Sequence, residues 1–444
     1  MTGSAVAPLA RIAWRNVRKH WRHSLGALLS IVVGFVSIGL FEGYLADLED
    51  IQAEWYVKRS MLGSVIVERR GAFEAAGREE PFRYSLDLDD QRFIDEFLEE
   101  RAGDVEARVR FLIASGLAST GSTGVVFAGW GYDVEDAARL RGEWAWNTSS
   151  GRPLHQAGPE SVITGNGLGS LLDCTPTPAE QALGADGRPL PEARPFTCRT
   201  ARVQLTSTTE SGQLNAIEPE IVGFFDAGLK ELDGRFLHLP LPLAQRLLDT
   251  DRVTYYSVRL RDPSRAQAFA REVERAAAAR GLDLVAVPWH AHQMADLYRK
   301  GMTVLGLYRT FVVIIVVTIA GMAVLTTMLK AVNERIREIG TLRSLGFRRR
   351  HIVWLFTFEA ALLAAVASAA GFVVTFLVSR AVAVAGISYK AGLAAQAIPF
   401  TVSLVPSALV FALVFLSAVA VLAAFLPARR AARLRIPDAL GHAG

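Results

Sequence analysis

Residues 310–346 read TFVVIIVVTIAGMAVLTTMLKAVNERIREIGTLRSLG and contain the pattern that decides the fold. The run Thr310–Leu329 has no charged side chain, and its twenty residues match a hydrocarbon core about 30 Å thick. The residues that follow are rich in arginine and glutamate, which are costly to place in lipid. The stretch therefore predicts a membrane-spanning helix that runs directly into a short helix outside the lipid.

The short helix has apolar residues at a helical spacing. Ile336, Ile339, Leu342 and Leu345 follow at intervals of three residues, which places them on one stripe. Gly346 offers a natural end to the helix. We therefore predict an amphipathic helix over about 332–345. A helix of this kind after a span can pass movement across the bilayer to a protein bound beneath it.

The composition indicates a chain that is partly in membrane and partly in water. It has 444 residues, of which 51% are hydrophobic, and its mean hydropathy is +0.26. The formal net charge of +4 is too small to indicate a nucleic-acid partner. The two cysteines are too few for a disulfide-dense scaffold.

A first span follows a basic N-terminal segment. Pro8–His23 predicts an interfacial helix, and Ser24–Phe41 is an uncharged run that we extend to Leu45. Basic residues precede this span and acidic residues follow it, so the N-terminus is expected in the cytoplasm. A cleaved signal peptide is the alternative, but the apolar run is too long for one and no small-residue cleavage site follows.

Two further spans complete the membrane part. Ile352–Ser379 predicts the third and Val402–Leu426 the fourth, which Pro427 is expected to end. Basic clusters follow the second and fourth spans, and placing every cluster in the cytoplasm requires an even number of spans. Glu359 interrupts the third span, and we expect it to face a neighbouring helix or the inner headgroups. A proton-relay role is not favoured, because no partner is evident.

The segment from about Ala46 to Met302 predicts an α+β domain, with two subdomains. The predicted strands are Ser64–Glu68, Val125–Ala128, Ser161–Thr164, Val203–Leu205, Glu220–Phe225 and Tyr255–Leu260, and the predicted helices are Asp89–Arg101 and Pro263–Arg280. Residues from about Pro153 to Pro195 are rich in proline and glycine and predict a loop. From Gln293 to Tyr308 the pattern is helical and predicts a stalk that continues into the second span.

Cys174 and Cys198 lie in or just after the predicted loop. Outside the cytoplasm they are candidates for a disulfide, which would contribute about 3 kcal/mol for a loop of this length. Two buried thiols are the alternative, and both remain open at this point.

No catalytic, cofactor-binding or metal site is predicted. The pattern G-x-x-x-x-G-K-[ST] does not occur, so ATP binding through a P-loop is not expected. Gly165–Gly169 lacks the spacing of a dinucleotide site and predicts a strand-to-helix turn. His290 and His292, near Asp296, have no third convergent ligand in the sequence.

The predicted fold class is an α-helical membrane protein with four transmembrane helices and a large α+β extracytoplasmic domain inserted between helices 1 and 2. The predicted order is an interfacial helix (1–23), transmembrane helix 1 (24–45), an extracytoplasmic domain ending in a stalk (46–302), transmembrane helix 2 (303–330), a cytoplasmic coupling helix with a basic loop (331–351), transmembrane helix 3 (352–380), an outer loop (381–401), transmembrane helix 4 (402–426) and a cytoplasmic tail (427–444).

Several segments resemble the permease subunits of the lipoprotein-releasing (LolC/LolE) and MacB-type ABC transporters, the group that also contains FtsX. They are Ile12–Asn16, Gly63–Val67, Ile221–Asp226, Glu231–Asp233, Leu243–Gln245, Asn333–Gly340 with Leu345 and Gly346, Pro427–Ala431 and Pro437–Leu440. The most specific is Asn333–Gly340, which resembles the segment that couples these permeases to their ATPase. MacB carries an ATPase domain before its first span, which this sequence lacks, so the resemblance is expected to be closer to the lipoprotein-releasing branch or to other split systems.

The resemblance implies a non-catalytic permease, working as a homodimer or with a paralogue. ATP and magnesium would be bound by a separate ABC ATPase subunit. The coupling residues it implies are Glu334, Arg335, Ile336, Glu338, Ile339, Gly340, Leu342, Leu345 and Gly346. The expected location is the inner membrane, with both termini cytoplasmic and the large domain periplasmic. Membrane lipid and a periplasmic lipoprotein carrier are further expected partners.

The function that this resemblance favours is release of lipoproteins from the inner membrane toward an outer-membrane carrier. Efflux of a drug or peptide, as in MacB, is the alternative within transport. An FtsX-like regulator of a cell-wall hydrolase is the alternative from another class, although its outer domain is expected to be much smaller.

Overall fold

A computed structural model describes residues 21–121, 123–177, 191–227, 233–389 and 398–433. The chain divides into two compact units. Unit 1 comprises residues 1–50, 302–387 and 400–444, and unit 2 comprises residues 51–301 and 388–399. Most of the predicted interfacial helix (1–23) and residues 434–444 of the predicted tail lie outside the described residues.

The described helices and strands are numbered separately in the order in which they occur along the chain. The helices are α1 (Trp21–Glu54), α2 (Ala75–Glu79), α3 (Leu88–Glu99), α4 (Val134–Arg141), α5 (Asn166–Leu171), α6 (Leu241–Leu248), α7 (Ala266–Ala279), α8 (Asp296–Glu334), α9 (Ile336–Ser344), α10 (Arg349–Ala385) and α11 (Pro406–Arg433). The strands are β1 (Val65–Arg69), β2 (Val105–Ser119), β3 (Gly124–Tyr132), β4 (Thr148–Gly151), β5 (Ser161–Gly165), β6 (Cys174–Pro176), β7 (Phe196–Cys198), β8 (Gln204–Thr208), β9 (Leu214–Ile217), β10 (Glu220–Phe225), β11 (Phe236–Pro240), β12 (Tyr255–Leu260), β13 (Leu284–Pro288), β14 (Ser388–Tyr389) and β15 (Ile398–Pro399).

Among the described residues, four helices are long and apolar enough to cross a membrane: α1, α8, α10 and α11. The strands and short helices of unit 2 lie between α1 and α8 in the sequence. The predicted fold class is therefore confirmed. The chain is a helical membrane protein with a large α+β domain inserted between its first and second apolar helices.

Helix α8 combines the predicted stalk and the predicted second span in one element. It contains 39 residues, which corresponds to a length of about 60 Å. The prediction that the helical pattern from Gln293 to Tyr308 continues into the span is confirmed.

Small residues allow the apolar helices of unit 1 to approach one another. The buried positions on α11 recur every four residues, at Ala412, Leu416, Ala420, Ala424 and Ala428. A Cβ atom on Gly371 of α10 would lie only 2.9 Å from Phe35 of α1, so this glycine permits a close helix contact. Close packing of this kind is the usual basis of helix association in lipid, where helices gain little from the hydrophobic effect.

The fourth span is predicted to end at Pro427, but helix α11 itself continues through Pro427 to Arg433. Pro427 is buried, and the alanines that follow it, Ala428, Ala431 and Ala432, belong to the core of unit 1. Packing of this last turn outweighs the backbone hydrogen bond that proline removes, as occurs in other membrane helices.

Unit 2 is built on a mixed β-sheet. Its main path has the order β13-β1-β12-β2-β3-β11-β5-β10-β4. Off this path, β8 pairs with β2 and with β9. The pairs β3–β11 and β5–β10 are parallel, and the other described pairs are antiparallel. Side chains alternate between two hydrophobic clusters, since Val65 and Val67 of β1 lie in one and Ile66 lies in the other.

The two clusters differ in what covers them. The first includes α3 and α7, whose Phe97 and Phe269 rings are 5.8 Å apart. The second is rich in aromatic rings, and Phe111 and Tyr255 stack in it at 4.7 Å. The second cluster lies beside the cavity described below.

The predicted strand Ser161–Thr164 lies within residues 153–195 and is confirmed as β5, which is buried in the sheet. Beyond that strand, the segment predicted as a loop also contains α5 and the short strand β6. Gly165–Gly169 forms the predicted strand-to-helix turn, with β5 ending at Gly165 and α5 beginning at Asn166. Cys174 and Cys198 are joined by a disulfide between the paired strands β6 and β7.

Candidate functional site

A single residue, Arg335, separates the second apolar helix from the short helix that follows it. Helix α8 ends at Glu334 and α9 begins at Ile336. Arg335 has φ −113° and ψ 18°, which lie outside the helical range. The prediction of one helix over 332–345 is therefore wrong at its start, and the break coincides with a buried contact of the Arg335 side chain.

That contact is an ion pair with Glu359 of α10. The Arg335 Nη1 atom lies 3.1 Å from Oε2 and 3.3 Å from Oε1 of Glu359. The side chains of Arg335 and Glu359 are only 7% and 3% exposed, so water screens the pair little. The expectation that Glu359 lacks a partner is wrong. The predicted coupling residue Arg335 is buried and holds the start of α9 against α10.

One face of α9 packs on unit 1 and is not available to another protein. Ile339 is buried and Leu342 packs against the same core, which also includes Ala428 and Ala431 of α11. Gly340 is buried as well, and Ile336 is half-buried. Of the four apolar residues of the stripe, which are all among the implied coupling residues, only Leu345 is exposed. Most of the stripe anchors α9 to the chain's own helices.

The end of α9 is fixed by a Schellman motif. Gly346 has φ +92°, its N–H donates to the Arg343 carbonyl, and the Phe347 N–H donates to the Leu342 carbonyl. Leu342 and Phe347 both pack against the core of unit 1, as the motif usually requires. The prediction that Gly346 ends the helix is confirmed.

Arg343 ties α9 to the end of the last helix. Its Nη1 atom donates to the Ala432 carbonyl at 3.3 Å, where the carbonyls at a helix C-terminus lack partners within the helix. Together with Arg335 and Ile339, this contact fixes both the position and the rotation of α9.

The exposed side of α9 forms a continuous strip, here called the α9 outer face. It consists of Arg337, Glu338, Thr341, Ser344 and Leu345. Leu345 is 73% exposed, whereas the other apolar residues of the stripe are buried or half-buried. The outer face offers one apolar side chain together with charges of both signs, a composition suited to a protein contact.

The break at Arg335 places the two glutamates among the implied coupling residues on different helices. Glu334 is the last residue of α8 and lies 3.9 Å from Lys330, whereas Glu338 lies on α9 beyond the break. Both side chains are exposed. Of the predicted coupling residues, Glu338 and Leu345 are thus on the α9 outer face, while Arg335, Ile339, Gly340 and Leu342 support it from beneath.

The histidines near α8 serve the fold of unit 2. His292 Nε2 lies 3.0 Å from Oε2 of buried Glu68, and His292 Nδ1 accepts a hydrogen bond from the Met294 N–H. Within the described part of the chain, no group of three or more His, Cys, Asp or Glu residues is arranged to hold a metal ion.

Comparison with known proteins places the last third of the chain in a family. Residues 310–436 match the profile described as "FtsX-like permease C-terminal". The macrolide export ATP-binding/permease protein MacB of Shigella sonnei is 30% identical over 154 residues, covering 35% of this chain and 22% of that protein. MacB of Escherichia coli K12 is 29% identical over 154 residues, with the same coverage. The matched stretch thus spans about a fifth of the length of these relatives.

Two solved structures resemble part of the chain weakly. The periplasmic region of MacB from Actinobacillus actinomycetemcomitans has a TM-score of 0.33 and 10% identity, covering 54% of this chain and 92% of that one. The extracellular domain of the ABC-type transporter YknZ has a TM-score of 0.29 and 13% identity, covering 43% of this chain and 87% of that one.

The family match includes the end of α8, the break at Arg335, α9, α10 and α11. These elements are therefore similar to the FtsX-like permease C-terminal domain, as the resemblance in the sequence predicts. The chain carries an FtsX-like permease C-terminal domain in residues 310–436.

Proposed function

We propose that the chain couples ATP hydrolysis in a separate ABC ATPase subunit to movement of unit 2. The observation that carries this proposal is the α9 outer face, which exposes Leu345 and Glu338 while the opposite side of α9 is anchored by Arg335 and Ile339. A short helix held this firmly on one side presents its other side to a partner without loss of order. We expect the ATPase, with its bound ATP and magnesium, to bind there.

Helix α8 provides the mechanical connection. It begins at Asp296, among residues of unit 2, and ends one residue before α9. A tilt of α9 under the ATPase would therefore reach unit 2 along one covalent helix. The pair Arg335–Glu359 would transmit the same tilt to α10, because separating a buried ion pair is costly.

The membrane arrangement that we propose places α9 in the cytoplasm and unit 2 in the periplasm. Basic residues before α1, around Arg348–Arg350 and at the end of α11 support this orientation. The disulfide in unit 2 is consistent with an oxidising compartment. The exposed apolar side chains of α8, α10 and α11 would contact inner-membrane lipid, a second permease copy or a paralogue.

For the cargo, we propose lipoproteins that are lifted from the inner membrane and passed to a periplasmic carrier. The resemblance of Asn333–Gly340 and Ile221–Asp226 to the lipoprotein-releasing permeases supports this choice. Export of a small molecule is the second candidate, favoured by the 30% identity to the macrolide exporter MacB over 154 residues.

The two candidates are distinguished in cells depleted of this chain. We expect lipoproteins bound for the outer membrane to accumulate in the inner-membrane fraction, and wild-type chain but not Leu345→Asp to restore their release. Unchanged lipoprotein fractionation, combined with greater sensitivity to a macrolide, would contradict lipoprotein release and support export.

A further inference from the structure

Unit 2 contains a cavity that the proposed coupling function does not use. Its volume is about 330 Å³, within the range of about 300–1,000 Å³ typical of small-molecule sites. Its wall is formed by a π-helix at Trp55–Arg59, by parts of β3, β10 and β11, and by residues 144–149. The cavity is therefore large enough for a small organic molecule.

Tryptophan and phenylalanine side chains form much of the cavity wall. Trp55, Trp130, Trp144, Phe225 and Phe236 all line it. The rings of Trp130 and Phe236 meet edge to face at 4.6 Å. Aromatic faces of this kind offer a large apolar contact area. The wall therefore favours a ligand with an apolar body.

Arg141 of α4 places a positive charge at the wall of this cavity. The residue lines the cavity and is only 3% exposed. Its Nη1 and Nη2 atoms lie 3.3 and 3.1 Å from the side-chain oxygen of Asn147, and its Nε atom donates to the Arg59 carbonyl at 3.4 Å. Both acceptors are uncharged and belong to residues of the same wall. The guanidinium is therefore held beside the cavity by neutral groups.

The charge of Arg141 acts on the cavity without a carboxylate to offset it. In the described part of the chain Arg141 forms no ion pair, although buried charges in proteins are usually paired. Burial lowers the pKa of His238, another wall residue, well below its usual value, and the charge of Arg141 lowers it further, so its ring is neutral. An anion in the cavity would be attracted by the same charge, because water screens such interactions little in a protein interior.

The other charged groups around the cavity are present in equal numbers of each sign. Arg59 and Asp226 also line it and carry opposite charges. Glu54, beside the π-helix, lies 3.2 Å from the Lys58 Nζ atom. Among the described residues, these two pairs leave the charge of Arg141 in excess. The cavity therefore favours a ligand of negative charge.

Arg59 is positioned to contact such a ligand directly. The residue is half-buried and lines the cavity, and its guanidinium lies 4.6 Å from the Trp144 ring. Trp144 is held in turn, because its Nε1 atom donates to Glu54 at 3.1 Å. A guanidinium that lies over a ring in this way can donate from its edge to an oxyanion.

We propose that this cavity binds a small organic anion. Its apolar body would lie against the aromatic wall, and its acidic group, such as a carboxylate or sulfonate, would lie near Arg59 and Arg141. This proposal concerns unit 2 alone and depends neither on the ATPase contact nor on the identity of the cargo.

The test uses the full chain in lipid nanodiscs and two fluorescent probes that differ in charge. The anion 5-(dimethylamino)naphthalene-1-sulfonate and the uncharged 5-(dimethylamino)naphthalene-1-sulfonamide have the same rings. Energy transfer from the tryptophans of the wall to the bound probe gives Kd, and nanodiscs without the chain correct for probe in lipid. We expect the sulfonate to bind about tenfold more tightly than the sulfonamide, the range of one charge-assisted hydrogen bond.

Substitutions that change the charge of the wall test the attraction itself. Arg141→Met should weaken sulfonate binding about tenfold and leave sulfonamide binding nearly unchanged. Arg139→Met is its matched control, because it removes the same charge from a 73% exposed side chain on the same helix. Asp226→Asn removes a negative charge from the wall and should tighten the binding of the sulfonate but not of the sulfonamide.

A second pair of variants locates the bound probe. Ala227→Phe adds a ring to the cavity wall and should abolish saturable energy transfer to both probes. Ala279→Phe, on the exposed face of α7, should leave both titrations unchanged.

Thermal unfolding midpoints establish that each variant is folded. If Arg141→Met or Ala227→Phe does not fold, the response to Asp226→Asn decides. The proposal is overturned if the sulfonate gives no saturable transfer, if the sulfonamide binds as tightly, or if folded Ala227→Phe binds like the wild-type chain. It is equally overturned if folded Arg141→Met binds the sulfonate like Arg139→Met, or if Asp226→Asn leaves the Kd of the sulfonate unchanged.

Discussion

At the scale of single residues, the account depends most on Arg335 and Glu359. Both side chains are buried, and removing one partner of a buried ion pair costs about 3–5 kcal/mol. Replacing both with apolar residues of similar volume is often nearly neutral, because neither charge then remains buried. Single and double substitutions at this pair therefore distinguish a loss of folding stability from a loss of coupling to ATP hydrolysis.

We predict that Glu359→Leu lowers the thermal unfolding midpoint of the purified chain by several degrees, because it leaves Arg335 buried without its carboxylate. Adding Arg335→Met should recover most of the loss, and the double variant should remain folded but couple ATP hydrolysis poorly. Unfolding scans and ATPase turnover in the presence of the partner measure the two effects. A fully additive loss in the double variant would contradict a direct pair.

The sequence reveals that Glu359 needs a partner but not which one. Glu359 and Arg335 are 24 positions apart, on different sides of a turn. Arginine at 335 also lies among other charged residues, and in the sequence these all look equally exposed. Only the packing of α9 on α10 and α11 distinguishes the buried arginine from Arg337 and Arg343.

At the scale of elements, α9 combines an anchored face and an outer face. We predict that Leu345→Asp leaves the chain folded but reduces copurification of the ATPase, because Leu345 is exposed and apolar. Glu338→Lys should also reduce copurification of the ATPase if the partner presents basic residues. Pull-down yields with a tagged chain measure both.

The matched comparison is Ile339→Asp on the opposite face. Ile339 is 2% exposed, so an aspartate there would be buried without a partner and should destabilise unit 1 itself. Equal yields of copurified ATPase from wild type and Leu345→Asp would contradict binding of the ATPase to the α9 outer face. Lipid contact alone would predict that Glu338→Lys is neutral or favourable.

The hairpin of β6 and β7 gives a prediction about compartment as well as stability. Its disulfide joins Cys174 and Cys198, which are 24 residues apart, and a loop of that length implies about 3 kcal/mol of stabilisation. Both thiols should resist maleimide in chain purified without reductant and react after reduction. Replacing both cysteines with serine should lower the unfolding midpoint of unit 2. Free thiols in chain taken from its native membrane would contradict the proposed periplasmic location.

Periodicity predicts the long helices and six of the fifteen described strands, but not the residues at which each of these elements begins and ends. The alternation in Val105–Phe111 begins the 15-residue strand β2, which is absent from the predicted strands. Helix α11 continues past Pro427, and α5 and β6 lie in the segment predicted as a loop, because burial outweighs the local preferences of proline and glycine. The prediction that the helix ends at Gly346 is confirmed, because a left-handed glycine cap depends on the local sequence.

At the scale of the whole molecule, the chain has a membrane unit, an aqueous unit and two long helices, α1 and α8, whose residues belong to both. Four apolar helices and the match of residues 310–436 to the FtsX-like permease C-terminal domain support the proposed permease function. The cavity of unit 2 could not be predicted from the sequence, because its wall comes from residues between positions 55 and 297 that only the sheet brings together. Function at this scale depends on what binds the α9 outer face.

Site-specific photo-crosslinking in intact membranes tests that claim most directly. A benzoylphenylalanine at Ser344, on the α9 outer face, should form an adduct with a protein that contains a P-loop, identified by mass spectrometry. The same residue at Ala279, exposed on α7 of unit 2, should form no such adduct. An ATPase adduct at position 279, or none at position 344 in a chain that supports function, would contradict the account.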